Sequence, residues 1–351
     1  MRRSIRCRMG AGVLLALAVS ACAGTRSEPA TTGVPPPVAG ELLVGNKSGD
    51  SVWRISLADG RKLGEFASGH QPHEIGVAAD AARVLVSNYA DDPRGNSLSL
   101  FDTSSGEVRT VQLGKGVRPH GLAPIPGSSD WLVTAEGLSQ LLRVDVADGR
   151  IVRRMPVGEG IAHMVATDGR AAFVTHLRSG TLTRVDLSSG QRTHTVETGA
   201  GAEGVAVRPG ADEVWVGNRA ADTVTVHASD DLRLLATLPS PGFAIRVAFT
   251  ADGRHALVTN AHAARLAVFH ATSRRQVADV PLAREGVAYR ETLLGQAALP
   301  IGVIADPSRP RVYVAISGGD EIAVVDSERW QVVDRWQTGR EPDALGLLPP
   351  R

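Results

Sequence analysis

The sequence predicts an all-β fold, a seven-bladed β-propeller of four-stranded blades closed by pairing of its N-terminal and C-terminal strands. Three observations predict it. A short aliphatic motif recurs seven times, as LLVGN, VLVSN, WLVTA, AFVTH, VWVGN, ALVTN and VYVAI. Its central valines are Val44, Val86, Val133, Val174, Val216, Val258 and Val314, at spacings of 42, 47, 41, 42, 42 and 56 residues, and a repeat of 40–45 residues suits one propeller blade. Short runs of alternating apolar and polar residues, bounded by turn residues, fill the repeats, with no sustained helical period.

Each repeat reads as four strands in order. The aliphatic motif is the second strand. The third follows after a turn and ends in a polar residue, as in LSLFD to Asp102, LRVD to Asp145, LTRVD to Asp186 and IAVVD to Asp326. These aspartates read as Asx-turn caps rather than paired acids. Tight turns such as SSGE, ADGR and SSGQ come next, with Gly106, Gly149 and Gly190 where a positive φ is needed. The fourth strand is the run typified by RIVRRMPV, and a Gly or Pro corner leads into the first strand of the next unit. One four-stranded sheet cannot bury both of its faces, so neighbours must stack around a closed ring. The body opens on a second strand, ELLVGN from Glu41, and ends on a first strand, EPDALGLL at 341–348. Those two segments are expected to pair in one blade, leaving no open edge.

The chain ahead of the repeats reads differently. Residues 1–21 carry Arg2, Arg3, Arg6 and Arg8, then the apolar run AGVLLALAV, then small residues before Cys22. This order resembles the leader and lipobox of bacterial lipoproteins. The resemblance implies export, cleavage before Cys22, lipidation of that residue and anchoring to a bacterial membrane on its periplasmic or cell-surface side. Residues 22–40 are rich in Pro, Thr, Ser and Ala and read as a tether, reaching roughly 20–25 Å as a flexible chain. Residues 41–351 are the propeller. Cys7 lies in the leader, so the mature chain has no pair of thiols for a disulfide, and its core alone must hold it. With the four leader arginines set aside, 34 basic residues face 37 acidic ones, which favours no nucleic-acid partner. The body is expected to be monomeric.

The tetrads LVSN (85–88), LVTN (257–260) and WVGN (215–218), each preceded by a strand such as GHQPHEIGVAAD, resemble the YVTN-repeat seven-bladed propellers. The resemblance covers the chain from Glu41 onward and implies the fold. Since one scaffold hosts many activities, function has to come from a site.

One column offers such a site. Aligning the innermost strands places His73, His120, His163, Glu203, Ile245, Ile301 and Asp343 at one level. Around a closed ring, Asp343 is followed by His73, so five successive blades present polar groups and two present isoleucine. His73, His120, His163, Glu203 and Asp343 form a donor set suited to a transition metal such as zinc, iron or copper, although nothing in the sequence demands a cofactor. The competing reading is architectural, with each histidine packed between blades and bonded to a corner. The next column is mostly small (Gly76, Ala123, Ala166, Ala206, Ala248, Gly346), as expected where backbones crowd near the axis. GAGAEG at 199–204 has the letters of a dinucleotide motif but opens onto a strand, and neither a G-x-S-x-G elbow nor a covalent haem motif is present. The 56-residue spacing holds an insertion at 284–300, expected on the same face as the histidines, with YRETLLGQ as a short helix.

The function expected is therefore a membrane-anchored envelope propeller that binds a ligand, protein or glycan at its channel mouth without catalysis. The alternative is a metal-dependent hydrolase similar to the lactonases, with Glu203 activating water.

Overall fold

The computed structural model describes residues 40–90 and 95–350. The leader, Cys22 and nearly all of the tether lie outside these residues, as does part of the YADDPRGN bulge after the second strand near Tyr89. Among the described residues the regular elements are strands and three short 3-10 turns.

Seven four-stranded antiparallel sheets form the blades. Blade 1 takes Glu41–Asn46, Ser51–Ser56 and Lys62–Ala67 from the start of the body and its innermost strand, Pro342–Leu348, from the end. The closing ladder pairs Glu41 with Leu348, Leu43 with Gly346 and Val44 with Leu345. The innermost strands of blades 2 to 7 are Pro72–Val77, Pro119–Pro124, Ala162–Thr167, Ala202–Val207, Ala244–Phe249 and Pro300–Ala305. Each innermost strand contacts those of the two neighbouring blades, so the ring closes.

The core lies between blades. Trp131, Leu142 and Val144 of blade 3 pack with Leu85, Leu98 and Val111 of blade 2, and equivalent clusters recur around the ring. Alternation therefore reads as buried on both faces in the second strands. The outermost strands are more exposed, as in Arg192–Glu197. The turn chemistry follows expectation. Asp102 accepts from the amides of Ser104 and Ser105, and Gly106, Gly149 and Gly190 all have φ between 67° and 78°.

Two local expectations need correction. The YRETLLGQ segment is a two-stranded hairpin, Glu291–Thr292 against Gly295–Gln296, not a helix. Thr292 Oγ1 accepts from the Leu294 amide and lies 3.1 Å from the Gly295 carbonyl as donor, and Gly295 adopts a φ of 109°, which selects a turn. The small column does not mark the closest backbone approach either. A Cβ at Gly76 would meet the Trp131 ring, whereas Cβ atoms at Gly121, Gly204 and Gly302, two residues earlier in the strand, would meet backbone of the next blade.

Candidate site at the channel mouth

Every innermost strand breaks register at its start. In blade 2 the pairing passes from Pro72 with Asn88 directly to Ile75 with Val86, and blades 3, 4, 5 and 7 skip the same two residues. Blade 1 skips the equivalent pair, Asp343 and Ala344, whereas blade 6 skips Ile245 alone and pairs Arg246 with Thr259. Such bulges leave residues unpaired and re-aim their side chains. The residues freed are the histidine column in every blade and, in all but blade 6, the one after it.

Hydroxyls from the second strands hold these bulges. Thr134 Oγ1 accepts from the Gly121 amide at 2.7 Å and donates to the His163 carbonyl of the next blade at 2.6 Å. Thr175 does the same between the Met164 amide and the Glu203 carbonyl, at 3.2 and 2.7 Å. Thr259 donates to the Ile301 carbonyl, and Ser87 accepts from the Glu74 amide. The Ser or Thr of the tetrad is thus a bridge between blades that fixes where the column sits.

The three imidazoles gather at the axis in a row. Ring centroids are 4.0 Å apart for His73 and His120, and 3.9 Å for His120 and His163. Tyr89 stands edge-on to both His73 and His120. His163 continues the row to Glu203, with Nε2 3.1 Å from Oε1, and its Nδ1 lies 2.5 Å from Glu136 Oε1. His73 Nε2 lies 3.7 Å from Asp343 Oδ2. All five residues of the expected donor set therefore meet, each nine-tenths or more buried.

Three further residues complete the cluster. Arg246 of blade 6 crosses the channel to Glu74 of blade 2 at 2.7 Å and touches Glu203 at 3.0 Å and Asp343 at 4.0 Å. Glu136, in the 3-10 turn after the second strand of blade 3, also accepts from Tyr89 Oη at 2.7 Å. Glu74 and Arg246 were legible in principle, because they are the two charged residues in a column otherwise holding Gly121, Met164, Gly204, Gly302 and Ala344. Glu136 lies in a loop with no repeat signal. Around the rim, Arg219 binds Glu203 at 2.5 Å and Lys47 reaches Asp343 at 3.8 Å.

The charges are partitioned unevenly. Burial alone would drive protons off His163, but Glu203 and Glu136 overcome it and hold the ring cationic, with a pKa raised to about 9. Burial would push Glu203 up, yet His163, Arg246 and Arg219 bring it down to about 2. Burial lowers His73 and His120 well below the usual imidazole range, reinforced by Lys47, Arg246 and the His163 cation, so both are neutral. Glu74 is raised to about 7 by burial and by Asp343, against the pull of Arg246. Nδ1 of His73, Nδ1 of His120 and Oδ1 of Asp343 are buried with no hydrogen-bond partner.

The opposite wall is apolar. Ile245 and Ile301 of the same column pack with Ala261, Leu299 and Phe243, and the insertion adds Leu294 and Ala297 to that cluster. Arg290 anchors the insertion on Asp320. At the hairpin tip Leu293 is 91% exposed.

A ring of seven bulged inner strands around a buried polar cluster defines a seven-bladed β-propeller with a plugged channel mouth. A family model described as a YNCE-like beta-propeller matches residues 128–291, a little under half of the chain. The YVTN-repeat resemblance is compatible with this. Proteins named "Uncharacterized protein YncE" from Salmonella typhi and from Salmonella typhimurium are 24% identical over 214 residues, and the match spans 59% of this chain and 59% of each relative. A structure of a functionally unknown protein from Desulfotomaculum acetoxidans has a TM-score of 0.72 at 12% identity, covering 89% of this chain and 99% of that one. Kuenenia stuttgartiensis hydrazine synthase contains a similar chain, with a TM-score of 0.65 at 16% identity, covering 78% of this chain and 88% of that one. At such identities these two likenesses concern the fold.

Proposed function

We propose that this chain is a lipid-anchored envelope propeller that binds another envelope protein on its channel-mouth face and catalyses no reaction. The insertion carries the reading. It is the largest departure from the repeat length, it packs against the apolar wall of the mouth, and it holds Leu293 out in solvent. Long insertions in compact repeats are commonly contact loops. The lipobox-like order before Cys22 supports the anchoring, and the tether gives the mouth room to meet a partner.

The electrostatics weigh against the hydrolase. A water-activating base needs a proton affinity near the working pH. Glu203 is held far below that by His163, Arg246 and Arg219.

Site-specific photocrosslinking in native envelopes tests the reading. A photoreactive residue at Leu293 should give one discrete protein adduct, and the same group at Val152, exposed on an outermost strand, should give none. No adduct from position 293, or hydrolysis of γ-butyrolactone by purified protein that Glu203→Gln abolishes, would overturn it.

A further inference from the structure

We propose that His73, His120 and Glu74 form a binding site for one divalent transition-metal ion at the channel mouth. The inference deepens the binding reading of the same face and rests on it, by giving the mouth a metal as part of its ligand chemistry.

One donor atom each from His73, Glu74 and His120 can be chosen so that all lie within 4.8 Å of one another. In a tetrahedral site with bonds of about 2.0–2.2 Å, donors sit about 3.3–3.6 Å apart. The cluster therefore needs a contraction of at most about 1.5 Å, within reach of side-chain rotation from strands whose bulge leaves these residues outside the ladder.

The second observation is the state of the nitrogens. Nδ1 of His73 and Nδ1 of His120 are buried without a partner. Leaving buried polar atoms unsatisfied is costly, about 1–3 kcal/mol each, and native structures seldom do it twice in adjoining rings. His73 Nδ1 is 3.9 Å from Glu74 Oε1, while its Nε2 faces Asp343. A carboxylate behind the far nitrogen of a ligating imidazole is the usual arrangement that orients it toward a metal. Asp343 is thus a positioning residue.

The neighbouring group of His120, Glu136 and His163 also satisfies the distance condition. It is the weaker candidate because both nitrogens of His163 already face carboxylates. Two imidazoles and one carboxylate suit zinc, copper or nickel, and do not suit magnesium or calcium, which prefer all-oxygen sites. Arg246 is the competitor, since its guanidinium holds Glu74 at 2.7 Å.

The test uses the full-length protein purified without a histidine tag and stripped with a chelator. Titration calorimetry with Zn2+ should give one site per chain, weakened at least 100-fold in the His73→Ala/His120→Ala variant and about 10-fold in Asp343→Asn. Wild type without a stoichiometric site, or the double variant with unchanged affinity, overturns the proposal. Should the double variant fail to fold, wild-type protein loaded with one equivalent of Cu2+ decides by paramagnetic resonance. Coupling to two imidazole nitrogens supports the site, and coupling to none or to one overturns it. Loss of the metal site with the Leu293 crosslink intact removes only this inference, whereas a bound metal without a crosslink removes the protein-partner reading.

Discussion

At the scale of residues, the hydroxyl that bridges two blades does as much as the histidines it positions. Thr134→Val keeps the shape but strands a buried Gly121 amide and a His163 carbonyl. It should cost about 1–3 kcal/mol, read as a lower midpoint in urea unfolding. Gly302 is a sharper case, since a Cβ there would lie 2.0 Å from the Asp343 carbonyl oxygen of the next blade. Gly302→Ala should destabilise by about 1–3 kcal/mol or more, with circular dichroism melting as the check, because backbone rather than a flexible side-chain end must give way. The two residues differ in how far they could be read beforehand. The Ser or Thr of the tetrad is visible as a pattern, but its bridging role depends on the adjoining blade and so on a distance absent from any one repeat. The requirement for glycine at 121, 204 and 302 falls one position after the histidine column, where alignment on the aliphatic residue showed mixed residue types.

Among elements, the bulged start of each inner strand decides what reaches the axis. The sequence showed that five polar residues share a level, because blade periodicity alone places them there. Periodicity did not show that the following position also reaches the mouth, through the unpaired Glu74 of blade 2 and through Arg246 of blade 6, which pairs with Thr259. Arg246 is the tie between opposite sides of the channel, contacting Glu74 and Glu203 closely. Burial opposes its charge, and the carboxylates of Glu74, Glu203 and Asp343 restore it, so the guanidinium stays cationic. Arg246→Met should cost about 3–5 kcal/mol in chemical unfolding, since it leaves buried carboxylates without their cation. The insertion shows a different limit. Its position on the mouth face follows from where the extra residues fall in the repeat, whereas hairpin against helix was set by local turn chemistry at Thr292 and Gly295 that a helical reading overlooked.

For the whole molecule, closure is the condition for the site, because blade 1 borrows its inner strand from the C-terminal end and Asp343 comes with it. Ending the chain after Arg340 should abolish cooperative thermal unfolding rather than merely lower its midpoint, since both neighbours of that strand lose a packed face. The cluster also couples stability to pH. His163 is raised from 6.5 to about 9, so the stability it contributes is complete below pH 6.5 and is lost as pH rises through about 9. Melting temperatures of wild type should fall across that window more than those of His163→Gln. The central claim is that a closed ring brings His73, His120 and His163 into one buried, electrostatically divided row. Nuclear magnetic resonance titration of the three imidazoles tests it most directly. His163 should stay protonated until pH approaches 9, while His73 and His120 should remain neutral well below pH 6.5. Three rings titrating together near the ordinary imidazole value would show that they do not share this environment, and would contradict the claim.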